Sequence, residues 1–288
     1  NAIYCTNFSG GTVRLGTGTI INQESSAITT TGSHRVSYDS INNIVWLTAI
    51  AQNLVKRFDV ATNAFLSNVT TSVTGTYDAE FDGTYLWASD SGDYKIHKIH
   101  GATAAVSATY SATFGAKNVA YDSRNNKLWF NANAALKYVD IGSGIVSSDI
   151  TVGTTPGDVA YDVTQNAVWV ANNGSNNVSK VNAATNGVIG TYNVGAGPNR
   201  IAYDITQNAI WVVNDTDNTV TKLNASNGAL IGTYSVGTGN VHSIAYDADA
   251  NTVWVTNYAA STATILNASS GALIQTYVIT TPDDITYD

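Results

Sequence analysis

Seven dipeptides in this chain bring different side-chain chemistry to one repeated place. They are His34-Arg35, Tyr77-Asp78, Lys117-Asn118, Gly157-Asp158, Asn199-Arg200, His242-Ser243 and Asp283-Asp284. Each stands just ahead of an aromatic–aspartate marker: Tyr38-Asp39, Phe81-Asp82, Tyr121-Asp122, Tyr161-Asp162, Tyr203-Asp204, Tyr246-Asp247 and Tyr287-Asp288. The frame repeats while the dipeptide changes. Imidazole, guanidinium, ammonium, phenol and carboxylate then meet at one opening if the repeats form a ring. Such a rim suits a small polar or zwitterionic ligand, or a partner's loop, better than an apolar molecule. The candidate ligand-binding residues are therefore His34, Arg35, Tyr77, Asp78, Lys117, Asn118, Asp158, Asn199, Arg200, His242, Asp283 and Asp284. The plain alternative is that loop ends are polar in any protein.

Catalysis has less support. Glu24 and Glu80 are the only glutamates. Glycoside hydrolysis needs two positioned carboxylates, which Asp78, Asp158, Asp283 and Asp284 could supply without a specific pattern. His34 and His242 lack an obvious third zinc ligand. His97 and His100 fall on opposite faces of an alternating strand. No Gly-x-Ser-x-Gly, phosphate loop or Cys-x-x-Cys occurs. No catalytic residue, metal ligand or cofactor is assigned. The acidic stretches Ser89–Asp93 and Asn214–Asn218 read as Asx turns rather than calcium loops. Seven N-x-S/T sequons, at Asn7, Asn68, Asn173, Asn177, Asn214, Asn224 and Asn267, matter only in a glycosylating host.

The elements that must position these residues follow from a period near 40. Trp46, Trp87, Trp129, Trp169, Trp211 and Trp254 stand 41, 42, 40, 42 and 43 residues apart, and Tyr4 precedes Trp46 by 42. Within Gly157 to Asn199 the chain alternates as four short strands. Strand A is Asp158–Asp162, B is Ala167–Ala171, C is Asn177–Asn182 and D is Val188–Val194. Turn residues lie between them, and no helical period appears. Four antiparallel strands per unit is a propeller blade. The expected fold is an all-β, seven-bladed propeller spanning 1–288 as one domain. Asn1–Tyr4 matches the start of strand B and Tyr287-Asp288 the end of strand A. A composite blade should therefore close the ring, with Asn1 and Asp288 within roughly 15 Å. The tryptophans should fill the gaps between blades, and Cys5 should be a buried thiol.

Composition narrows the partners. Charged residues make up 12%, about half the usual share, and the net charge is −8. A nucleic-acid partner would need a basic face, so none is expected. No run approaches 18 apolar residues, so no membrane insertion is expected. A surface of amides and hydroxyls is common outside the cytoplasm.

The stretch Val168–Asn182, with Thr185-Asn-Gly187, Val194–Pro198 and Trp254-Val-Thr-Asn257, resembles the YVTN-family β-propeller repeat. The resemblance is clean from about Asn118 to Asp288. It implies a secreted or surface-anchored protein. Surface proteins, glycans or further copies of the chain are the implied partners. A more distant resemblance is to streptogramin-lyase-like propellers, without catalytic residues that carry over. The expected function is a non-enzymatic binding or assembly module. The alternative is a lyase-like or hydrolase-like enzyme with its site at the channel mouth.

Overall fold

A computed structural model describes residues 3–7, 12–16, 19–24, 35–49, 54–62, 64–71, 75–112 and 115–287. The molecule is an all-β propeller with four-stranded antiparallel blades. The clearest blade holds Pro156–Asp162, Ala167–Asn172, Asn177–Asn182 and Val188–Asn193, in that order from the inside out. Its register sets Ala160 opposite Trp169, Trp169 opposite Lys180 and Lys180 opposite Gly190. The strands match those read from alternation to within two residues: the inner strand starts two earlier, at Pro156, the second ends one later, at Asn172, and the outer one ends one earlier, at Asn193. Pro198 and Pro282 open inner strands in the same way. Proline is compatible with the first position of an edge strand, where no ladder N–H is needed.

Six sheets follow this four-stranded plan. One of them joins Pro282–Tyr287 to Ile3–Asn7, with Ile3 opposite Tyr287 and Cys5 opposite Ile285. The remaining sheet, on Val36–Asp39, departs from the plan. Its outer strand is split into Ala64–Phe65 and Val69–Thr70, and both pair with Leu54–Asp59. The break is filled by Arg57, which donates from Nε to the Ser67 carbonyl at 3.2 Å and from Nη2 to Ser67 Oγ at 2.9 Å. Asn1 and Asp288 lie outside the described residues, so the expected distance between them does too.

Burial explains the tryptophan period. Five of the rings are fully buried and Trp254 is 4% exposed. Each packs on the next sheet: Trp129 against Val168, Val170 and Val181, Trp169 against Ile210, Val212 and Leu223, Trp211 against Val253, Val255 and Leu266. Trp254 packs on Ile3, Cys5 and Ile285, and Tyr4 on Val45, Leu47 and Phe58.

Four of the six indoles also bind the marker aspartate, while Trp254 Nε1 donates to Thr252 Oγ1 and Trp169 Nε1 has no partner among the described residues. Asp122 Oδ1 accepts from the Arg124 and Asn125 amides, and its Oδ2 accepts from Trp129 Nε1 at 3.2 Å. Asp82 and Trp87 repeat the bond at 2.6 Å, and Asp204 with Trp211 at 3.3 Å. One carboxylate thus fixes the inner turn and the orientation of the gap-filling ring.

A second latch was not read from the sequence. Lys180 Nζ donates to the Ala225 and Ser226 carbonyls of the next blade, at 2.6 and 3.1 Å. Lys222 does the same to Ala268 at 2.5 Å. Tyr138 stands opposite Trp129 where those blades have lysine. There Lys127 supplies the charge instead, reaching Ala183 at 2.7 Å with its ammonium 4.2 Å from the Tyr138 ring centre.

Candidate functional site: a charged collar and the cavity beneath it

Inner strands are sheet edges, so their outward N–H groups need partners. Carboxylates supply them across the blade gaps. Asp78 Oδ2 accepts from Val119 N at 3.0 Å, Asp158 Oδ2 from Ile201 N at 2.9 Å and Asp284 Oδ2 from Val36 N at 2.9 Å. The side chain at this level of one inner strand therefore ties down the backbone of the next. Repeats without a carboxylate put Arg35, Asn118, Arg200 or Ser243 there. These seven residues form the collar.

Arg35 is 4% exposed. Its Nη1 lies 4.0 Å from Asp283 Oδ1 and 3.9 Å from Asp284 Oδ1, and the guanidinium stands 5.5 Å from the Tyr77 ring centre. Burial pulls the Arg35 pKa down, but Asp284, Tyr77, Asp78 and Asp283 together raise it above the ordinary value. Its Nε and Nη1 have no hydrogen-bond partner among the described residues. Asp283 is 1% exposed, and its Oδ1 lies 3.1 Å from His242 Nδ1. Asp284 Oδ1 accepts from Ser243 Oγ at 2.5 Å.

On the other side, Arg200 is 6% exposed and forms no salt bridge among the described residues. Its Nη1 donates to the carbonyl of Asn199 at 2.9 Å, and its Nε is unpartnered. Asn118 is buried, and its amide donates to Asn131 Oδ1. Lys117 is exposed at the rim, 5.9 Å from the Tyr77 ring centre. His34 lies outside the described residues. The structure therefore draws Arg35, Tyr77, Asp78, Asp283, Asp284 and His242 into one contiguous network. Asp158 joins through its charge coupling to Asp78 and Arg35. Asn199 binds only Arg200 among these, and Lys117 stands apart.

Below the collar is a cavity of about 310 Å³ lined by residues of the inner strands, among them Ser37, Glu80, Ala120, Ala160 and Thr286. Glu80 was not singled out as a site residue. The signal was present: the equivalent position holds Ser37, Ala120, Ala160, Ala202, Ala245 or Thr286 in every other repeat. Only the repeat marked by Phe81-Asp82 places a long, ionisable chain in a layer of small ones.

Glu80 Oε2 accepts from Tyr121 N at 2.6 Å, extending the interblade pattern. Asp78 and Glu80 keep some surface open to the channel, yet inner strands surround them. Desolvation is the main cause of their shifts. It pushes Asp78 to about 6, Asp158 to about 7 and Glu80 to about 8. Backbone N–H bonds oppose the rise in all three and Arg35 opposes it at Asp78 and Asp158, while like charge adds to it: Asp284 at Asp78, Asp78 at Asp158, and Asp78, Asp158 and Asp82 at Glu80.

The first acidic loop behaves as an Asx turn: Asp90 Oδ1 accepts from the Gly92 and Asp93 amides, both at 2.9 Å; in the second, Asp217 Oδ2 instead accepts from Ala196 N at 2.7 Å. No group of three or more His, Cys, Asp or Glu is placed to hold a metal among the described residues.

No family model matches the sequence, and no curated protein matches it. Among solved structures, one titled streptogramin B lyase superposes with a TM-score of 0.79 over 99% of this chain and 92% of that one. The two are 16% identical, so the likeness is one of fold.

Proposed function

We propose that this chain is a binding module whose ligand site is the collar, working outside the cytoplasm on a small zwitterion or on a partner's loop. In this reading the sheets make a seven-bladed ring of the YVTN type, closed by the pairing of Pro282–Tyr287 with Ile3–Asn7. The observation that carries it is the unsatisfied charge of the collar. Arg35 and Arg200 are nearly fully buried, yet both keep guanidinium N–H groups without hydrogen-bond partners among the described residues. A buried, unpartnered donor is costly, and an anionic group of a ligand relieves it. The amide- and hydroxyl-rich surface supports the extracytoplasmic setting. Partner classes are surface proteins, glycans and further copies of the chain.

The test is to replace Arg35, Lys117 and Arg200 by alanine together and repeat a glycan-array and surface-protein binding screen. Binding lost with the circular dichroism unchanged supports the collar. Binding retained moves the function to the outer surface.

An acid–base enzyme is the second reading. It is favoured by Asp78, Asp158 and Glu80 all titrating near neutrality in one channel. The protein of like fold is a lyase by its title. Each of these carboxylates, however, already holds a backbone N–H of the next strand. A turnover screen of lactone and glycoside substrates separates the readings, since a binding module leaves them intact.

A further inference from the structure

We infer that the cavity beneath the collar seats an organic ammonium group, with Glu80 as its counter-ion, on a ligand whose anionic end meets Arg200. This rests on the collar reading and gives it a substrate class: a short linear zwitterion charged at opposite ends.

Three observations carry it. The first is space. The cavity holds about 310 Å³, near the small end of ligand pockets. Its walls set the small Ser37, Ala120 and Ala160 beside Ile201, Tyr161 and Tyr203, and Glu80 is the one carboxyl among them.

The second is charge. Glu80 lines the cavity, and the charges that act on it, Asp78 on its own strand, Asp82 just past that strand's end and Asp158 two blades on, are all of like sign. Its one protein hydrogen bond runs through Oε2, leaving Oε1 without a partner among the described residues. No cation of the chain pairs with it among the described residues. A compact metal does not fit, because no three ligating side chains converge among the described residues. An ammonium, which needs one carboxylate and neighbouring hydroxyls such as Ser37 and Thr286, does.

The third is the opposite pole. Arg35 is already flanked by Asp283 and Asp284. Arg200 is not. Its buried Nε lacks a partner among the described residues, and its strand neighbour Ile201 lines the cavity. Arg200 stands at the collar and Glu80 two residues deeper along its own strand. That step is about 7 Å along the channel; the two residues stand on inner strands three blades apart.

The experiment is calorimetric titration of the whole protein at pH 9, where Glu80 has lost its proton and an alkylammonium keeps its own, with δ-aminovalerate, valerate and amylamine. δ-Aminovalerate should bind more tightly than either single-charge probe. Glu80→Gln should weaken δ-aminovalerate and amylamine at least tenfold while leaving valerate unchanged. Arg200→Gln should weaken δ-aminovalerate and valerate and spare amylamine. Glutamine keeps the acceptor for Tyr121 N, and a melting curve checks the fold. The inference is overturned if none of the probes binds, or if Glu80→Gln leaves amylamine and δ-aminovalerate unaffected. Loss of binding in the Arg35/Lys117/Arg200 triple variant with no effect of Glu80→Gln sinks this inference and leaves the collar reading standing.

Discussion

Glu80 keeps its proton in the folded chain up to about pH 8, whereas an unfolded glutamate loses it near 4.3. Between those values the folded state binds more protons than the unfolded one. Stability therefore falls as pH rises through that window. Asp78 and Asp158 act in the same direction up to about 6 and 7. His97, whose pKa burial lowers, works the other way below neutrality. The difference between variant and parent isolates Glu80. We expect Glu80→Gln to raise stability at pH 8 by about 1–3 kcal/mol and to leave it little changed at pH 4.5. Urea unfolding at the two values measures this, and equal gains at both would refute it. The tryptophans give a second expectation at this scale. Trp169→Ala or Trp211→Ala should cost about 3–5 kcal/mol, because each empties the gap between two blades. A loss below about 1 kcal/mol in thermal or urea melts would contradict that packing role.

At the scale of the element, the strands were legible because alternation and turn residues agree. Even the hairpin loops repeat: Ala104, Gly144, Asn186, Gly228 and Gly271 each stand four residues past a strand end, all with positive φ. Asn and Gly enter that region readily, and Ala104 does so at a cost. The split outer strand near Ser67 was not legible, since nothing local says that Arg57 will take the place of a ladder bond. The lysine latches were hidden for a similar reason. Lys180 reads as an exposed strand residue until the next blade covers it. Lys180→Met keeps the stem and removes the charge, leaving the Ala225 carbonyl unpaired. The expected cost is about 1–3 kcal/mol. Hydrogen exchange should rise in the loop at residues 225–229 and stay level in the loop at 183–187. Uniform exchange changes would mean the latch is not local.

At the scale of the molecule, periodicity alone implied a propeller, because seven copies of one pattern leave few other architectures. The collar was legible as the place where the pattern breaks. The cavity was not, because a single Glu in a row of Ala and Ser looks like drift until the register puts it in the channel. The sheet that joins Pro282–Tyr287 to Ile3–Asn7 offers a test of the whole. Cys5 is fully buried in it, and burial pushes its thiol pKa up. The native protein should not react with a disulfide reagent at pH 8. A chain shortened after Thr281 should expose Cys5 and react within minutes. A truncated chain as inert as the parent would mean that other elements cover the thiol.

That same seam sets a clock. Thr6 and Asp284, which exchange hydrogen bonds across it, are 278 residues apart. A ribosome adding 5–20 residues per second needs roughly 15–55 s to bring the second to the first. For that interval Ile3–Asn7 is a bare, largely apolar edge, the kind that pairs with whatever strand is nearest. Closing so long a loop also carries a large entropic cost before any contact repays it. The final strand is thus the slow step of biogenesis. Synthesis rate and chain crowding, more than the strength of any one blade, should decide the yield of correctly joined molecules.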